Sequence, residues 1–89
     1  MLPTLAELPA IDWNNPANPP VGPDGRPWVW RGGQPQGGPS GGYTNPANPH
    51  QSLHPDLKHD PPEGPHWDYT DRGRGIRCRI FPNGTVRSK

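Results

Sequence analysis

Eighty-nine residues hold one small domain at most, and sixteen Pro with twelve Gly occupy 28 of those positions, a density that signals irregular backbone. Five Leu, three Ile, three Val and one Phe, twelve in all, exclude a large aliphatic core, because ordering each residue costs roughly 1.5 kcal/mol of conformational entropy. Net charge is only +1, while four Trp, two Tyr and one Phe supply broad apolar surfaces, so the chain lacks the profile of a charge-extended tail and part of it is expected to fold.

Taken in chain order, Thr4 and Glu7 match a capping box, but Pro9 limits any helix there to about one turn. The apolar residues among the first ten have no basic flank and are broken at Pro3 and Pro9, so neither a signal peptide nor a membrane span is expected. Residues 15–49 are turn-rich: Asn-Pro-Ala-Asn-Pro occurs at 15–19 and again at 45–49, with Gly-Gly pairs at 32/33, 37/38 and 41/42. Two copies of a pentapeptide do not make a solenoid. Between them, Pro27-Trp28-Val29-Trp30 is the sole strand candidate, and its two Trp share a face suited to capping a small core. The single Cys78 excludes an internal disulfide.

The C-terminal third is different. Residues 66–70, 76–81 and 85–88 read as a three-stranded antiparallel meander. In its second turn Pro82 suits the first central position, Asn83 the next, and Gly84 the left-handed bulge position. That three-residue loop sets Ile80 against Val86. Alternation then puts Ile76, Cys78, Ile80 and Val86 on one face with Trp67 and Tyr69, and His66, Asp68, Arg77, Arg79 and Arg87 on the other. The expected fold is a small β-rich domain, all-β or α+β, over residues 27–89, with long Pro/Gly-rich irregular loops and an extended, poorly ordered leader over 1–26.

Charge is segregated along the chain. Residues 54–71 carry five acids against Lys58 alone and three of the four His, whereas residues 72–89 carry no acid and six bases. A local +6 is the footprint of a polyanion partner, its plain alternative being a solvated basic tail. Metal-free cleavage of RNA needs a base for the ribose 2′-hydroxyl, an acid for the leaving oxygen and cations on the phosphate. His66, supported by Asp68, suits the base. His54 and His59 are the candidate second proton carriers, Arg79 stabilises the phosphate, and Arg77, Arg87 and Arg74 bind the substrate. The rival chemistry is a metal such as Zn²⁺, held by His54, Asp56 and His59 together with His66 and Asp68 and able to activate a water against phosphate, although these spacings match no common ligand signature. No cofactor is expected. Cys78 falls on the core face and reads as a small hydrophobe.

The runs Ser52-Leu53-His54-Pro55-Asp56-Leu57-Lys58-His59, Pro61-Pro62-Glu63-Gly64-Pro65-His66-Trp67-Asp68-Tyr69 and Arg79-Ile80-Phe81-Pro82-Asn83-Gly84 closely resemble the C-terminal ends of bacterial polymorphic toxins, in particular polymorphic toxin type 37. The likeness covers about half of the chain, from Tyr43 onward, with Asn83 where Asp is expected and Cys78 where an aromatic is commoner. It implies a toxin module carried at the end of a larger delivery protein, secreted or delivered by contact, acting as a nuclease in the target cytoplasm, and silenced by a cognate immunity protein. By position, His54, Asp56, His59, His66, Asp68 and Arg79 fall on the resembling motif. The Arg-rich face predicts that the immunity protein is acidic and covers Arg77, Arg79 and Arg87. The reading from another class is a non-catalytic module that binds RNA or a protein.

Overall fold

A computed structural model describes the whole chain, Met1–Lys89. Six strands, β1 (Val29–Gly32), β2 (Gly41–Asn45), β3 (Asn48–Asp56), β4 (His66–Asp71), β5 (Ile76–Ile80) and β6 (Val86–Ser88), form one sheet in which each pairs antiparallel with the next. The domain is therefore small and all-β. Apart from one 3-10 turn, Leu5–Glu7, it contains no helix, and none is long and apolar enough to cross a membrane.

The last three strands follow the alternation of their sequence. Ile80 opposes Val86, and the connecting loop closes through Phe81 N–H to the Thr85 carbonyl (2.9 Å) and Gly84 N–H to the Phe81 carbonyl (2.9 Å). Gly84 sits at φ 86°, left-handed backbone that favours glycine. These strands are not a separate unit, however; β2 and β3 extend the sheet through residues expected to be irregular loop. The second Asn-Pro-Ala-Asn-Pro copy is the turn between them, where the Asn45 side-chain oxygen accepts the Ala47 N–H at 2.9 Å. Asn15 does the same for Ala17 in the first copy, so the repeat encodes one turn used twice. Gly42 belongs in a strand because a Cβ there would lie 2.7 Å from the Leu53 carbonyl oxygen: β2 and β3 approach too closely for a side chain. The β2–β3 pairing ends at Tyr43–Leu53, which leaves Pro55 at a margin where proline is tolerated.

One sheet face is the core. Tyr43, Leu53, Trp67, Tyr69, Ile76, Cys78 and Ile80 are buried there with Trp28, and aromatic rings replace the missing aliphatics: Trp30 meets Tyr43 edge-on at 5.0 Å and Tyr43 stacks on Trp67 at 6.0 Å. A single sheet needs a second layer over its apolar face. Residues 1–28 supply it. Leu8, Ile11 and Trp13 pack against the core, Pro3, Pro9 and Pro20 are buried, and Ala10 and Val21 exchange backbone hydrogen bonds. The segment expected to be a poorly ordered leader thus packs over the apolar face through Leu8, Ile11 and Trp13. Its prolines restrict the unfolded chain and so reduce the entropy lost on packing. β1 begins at Val29 rather than Pro27, because Pro27 bridges Val21 and the Trp28 N–H bonds the Pro20 carbonyl.

Two long-range ties hold the layers together. The Tyr43 hydroxyl donates to the Pro16 carbonyl at 2.7 Å. Buried Asp71 accepts from Gln51 Nε2 (3.2 Å) and from Arg74 N and Nε (3.2 and 2.9 Å), and Arg74 reaches on to Glu7 in the N-terminal layer.

Candidate functional site

The register that sinks Trp67, Tyr69 and Cys78 into the core necessarily turns their neighbours outward. Asp56 opposes His66 across β3–β4; His54, Asp68, Arg79 and Arg87 form one row across β3–β6; and Thr70 opposes Arg77 a row further on. All four positions of the central row therefore lie on the face away from the core.

His66 is the centre of this face, although its side chain is only 1% exposed. Its Nδ1 lies 2.8 Å from the Gly64 carbonyl oxygen. A carbonyl can only accept, so Nδ1 carries a proton, and Nε2 is left as the atom that meets the site. It lies 3.3 Å from Asp56 Oδ2 and 3.5 Å from Asp68 Oδ1, with a hydrogen bond of good geometry to neither. Asp56, His66 and Asp68 form the single trio of His, Cys, Asp or Glu whose ligand atoms lie within 4.8 Å of one another. Around them stand two cations: Lys89 Nζ at 3.3 Å and Arg79 Nε at 4.0 Å, both from Asp68 Oδ1. That oxygen and Arg79 Nε are buried without a hydrogen bond.

Two grooves flank the trio. One, of about 580 Å³, is lined by Glu63, Pro65, Arg79, Phe81, Thr85 and Arg87; the Arg87 guanidinium lies 5.7 Å from the Phe81 ring centre, and Phe81 lies 5.6 Å from His66. The other, of about 280 Å³, is lined by Pro35, Gly37, His54, Asp56, Leu57 and Lys58. His59 belongs to the loop between β3 and β4, with its ring 5.3 Å from that of His66 and its Nδ1 3.6 Å from Glu63 Oε2.

The expected site residues are thus sorted by position. His66, Asp68 and Arg79 come together, with Arg87 beside them along the groove and the His59 ring alongside, tilted by 48°. Arg77 is exposed on the same face but one row away. His54 turns its Nδ1 to the Gly41 carbonyl and belongs to the second groove. Arg74 is a correction: it lies in the β4–β5 turn, at the other end of the sheet from His66, with its guanidinium held by Asp71 and Glu7 rather than offered to a phosphate. Of the metal candidates His54, Asp56, His59, His66 and Asp68, the trio holds Asp56, His66 and Asp68 and leaves out His54 and His59. The pairing of Asp56 with His66 was hidden by Pro55; the alternation of Ser52, His54 and Asp56 against Leu53 and Pro55 was the signal that would have exposed it.

Burial pushes the Cys78 thiol up to about 11, with the Asp68 charge adding to it, so Cys78 is no nucleophile. Hydrogen bonds from Arg74 and Thr4 draw the Glu7 carboxyl down to about 2. Comparison of the chain with protein-family models, with curated proteins and with solved structures returns no match.

Proposed function

We propose that this chain is the toxin module of a bacterial polymorphic toxin system and that it cleaves RNA. The toxin assignment is supported by the Gly-Pro-His-Trp-Asp-Tyr string at 64–69 and its flanking runs. Cleavage is supported chiefly by one observation: a buried imidazole aimed between two carboxylates stands beside a groove lined by two arginines. Simple binding of a polyanion needs the arginines but not the carboxylates, which repel phosphate.

The parts suit a metal-free reaction on ribose, in which the 2′-hydroxyl attacks the adjacent phosphorus and the 5′-oxygen leaves. With 1% exposure His66 cannot itself reach that hydroxyl. Asp56, whose side chain is 36% exposed, accepts the proton and passes it to the lone pair of His66 Nε2, 3.3 Å away, which leaves an imidazolium between the carboxylates of Asp56 and Asp68. His59, paired with Glu63 at the mouth of the groove, is the exposed imidazole that protonates the leaving oxygen. Arg79 and Arg87 hold the phosphate, and planar guanidinium groups can bond two of its oxygens at once. An acidic immunity protein seated over Arg79 and Arg87 blocks the groove by charge complementarity.

Incubating the purified chain with total RNA in the presence of a chelator tests this. Wild type should degrade the RNA, and Asp56→Asn should slow it by about 10² to 10⁴-fold while the circular dichroism spectrum stays unchanged. RNA that is retained but uncut by the folded wild type would assign the face to binding instead.

A further inference from the structure

The spacing of Asp56, His66 and Asp68 is not that of a proton shared among them. An N–H donor to a carboxylate sits about 2.7–3.0 Å from its oxygen, yet the two separations from Nε2 are 3.3 and 3.5 Å. Those lengths match another figure. Ligands bound tetrahedrally at about 2.0–2.1 Å stand roughly 3.3–3.4 Å apart, the edge of the tetrahedron; octahedral ligands at the same bond length stand only about 2.9 Å apart. The third separation is within 4.8 Å, and partly exposed Asp56 has the freedom to close it.

Resting on the RNA-cleavage reading for its consequence, but not for its geometry, we infer that Asp56 Oδ2, His66 Nε2 and Asp68 Oδ1 form a binding site for one divalent cation of the Zn²⁺ type, with a fourth position left open.

Three further features fit such a site. Nδ1 is committed to the Gly64 carbonyl, the outer partner that fixes a ligating imidazole in orientation and leaves its Nε2 lone pair free. His66 is buried to 1% exposure, so the imidazole cannot turn its Nε2 to water. Asp68 Oδ1 is buried and makes no hydrogen bond, with only the ion pairs to Lys89 and Arg79 to offset its charge, so a cation bound to it directly meets an oxygen that no donor has claimed. Lys89 is the competitor: its ammonium stands 3.3 Å from Asp68 Oδ1 on a 30% exposed side chain, and an entering cation displaces it. Arg79, at 4.0 Å, stays as an outer neighbour.

The cation and the transferred proton compete for Asp56. Bound metal therefore silences the metal-free cleavage, and the same three residues are both a proton-handling site and its inhibitory switch.

Zn²⁺ titration by calorimetry and Co²⁺ visible absorption, on the untagged full chain, test the site without reference to activity. One equivalent should bind, with the intense visible band of four-coordinate Co²⁺. Asp68→Asn should weaken binding at least about tenfold, whereas Lys89→Gln, an exposed change that the fold tolerates, should tighten it by about two- to fivefold through loss of the competing ammonium. No binding by the folded wild type, or equal affinity in all three chains, overturns the site. Cleavage in chelator that falls as Zn²⁺ is added supports the switch, and cleavage that rises with Zn²⁺ overturns it. Zn²⁺ bound at the trio with RNA left uncut at every Zn²⁺ level, chelator included, would overturn the RNA reading while leaving the site standing.

Discussion

At the level of single residues, the molecule spends its few charged contacts on two jobs that the sequence alone does not separate. Six bases crowd the last eighteen residues, yet Arg74 is a structural tie and Arg79 and Arg87 line a groove. What distinguishes them is the partner each finds. Arg74 meets Asp71, a core-face carboxylate with 2% exposure, and Glu7 from the opposite layer. Burial pushes the Asp71 carboxyl up, but hydrogen bonds from Arg74 and Gln51 outweigh it and hold the group below its ordinary value. Glu7 is drawn from 4.5 to about 2, first by its hydrogen bond with Arg74. Carboxyls lowered by folding stabilise the fold above their unfolded values and lose that contribution as pH falls through the folded ones. Stability of the wild type should therefore decline from about pH 4.5 toward pH 2, and Arg74→Gln should flatten that decline; thermal melts over this pH range check both. An unchanged pH profile in Arg74→Gln would show that the tie is not coupled to folding.

Among the elements, β2 and β3 carry the instructive case. Both contain residues that argue against a strand, Gly41 and Gly42 in one, Pro49 and Pro55 in the other. The glycines are there because of a close approach and the prolines because of a margin. Gly42→Ala would put a methyl 2.7 Å from the Leu53 carbonyl oxygen, a backbone atom that cannot move without shifting β3, and it should cost about 1–3 kcal/mol, as overpacking does. Gly84→Ala meets nothing within 4 Å and bears only the left-handed backbone penalty, about 1 kcal/mol. Urea denaturation of the two variants should rank them in that order. Displacement of β3 would also carry Asp56 away from His66, so, on the proposed function, Gly42→Ala should lower RNA cleavage more than its effect on stability accounts for, whereas Gly84→Ala should not.

For the molecule as a whole, the question is what covers a six-stranded sheet with only twelve aliphatic or phenyl side chains in the chain. The answer is an irregular layer of prolines, Leu8, Ile11, Trp13 and Trp28, pinned by Tyr43 to Pro16 and by Arg74 to Glu7. A chain of residues 27–89 alone loses all of this cover but Trp28 and exposes Trp67, Tyr69 and Leu53, side chains that are fully buried in the 89-residue chain. It should melt without a cooperative transition and bind a hydrophobic dye, even though every strand is present. A sharp melt within a few degrees of the full chain's would show that the sheet is self-sufficient.

Local chemistry was enough to determine the last two strands and their turn, because Pro82-Asn83-Gly84 admits few backbone paths and alternation then assigns each face. The gathering of His66, Asp68 and Arg79 on one surface was legible for the same reason. Asp56 and His59 were legible as chemistry but not as neighbours, since their positions depend on β3 lying beside β4, a pairing that joins Ser52 to Thr70 across a proline-rich loop. The role of residues 1–28 was decided only by tertiary structure. Proline and glycine carry no periodic pattern, so whether such a segment wanders or packs depends on the presence of an apolar face of matching shape, and that face exists only once the six strands have come together.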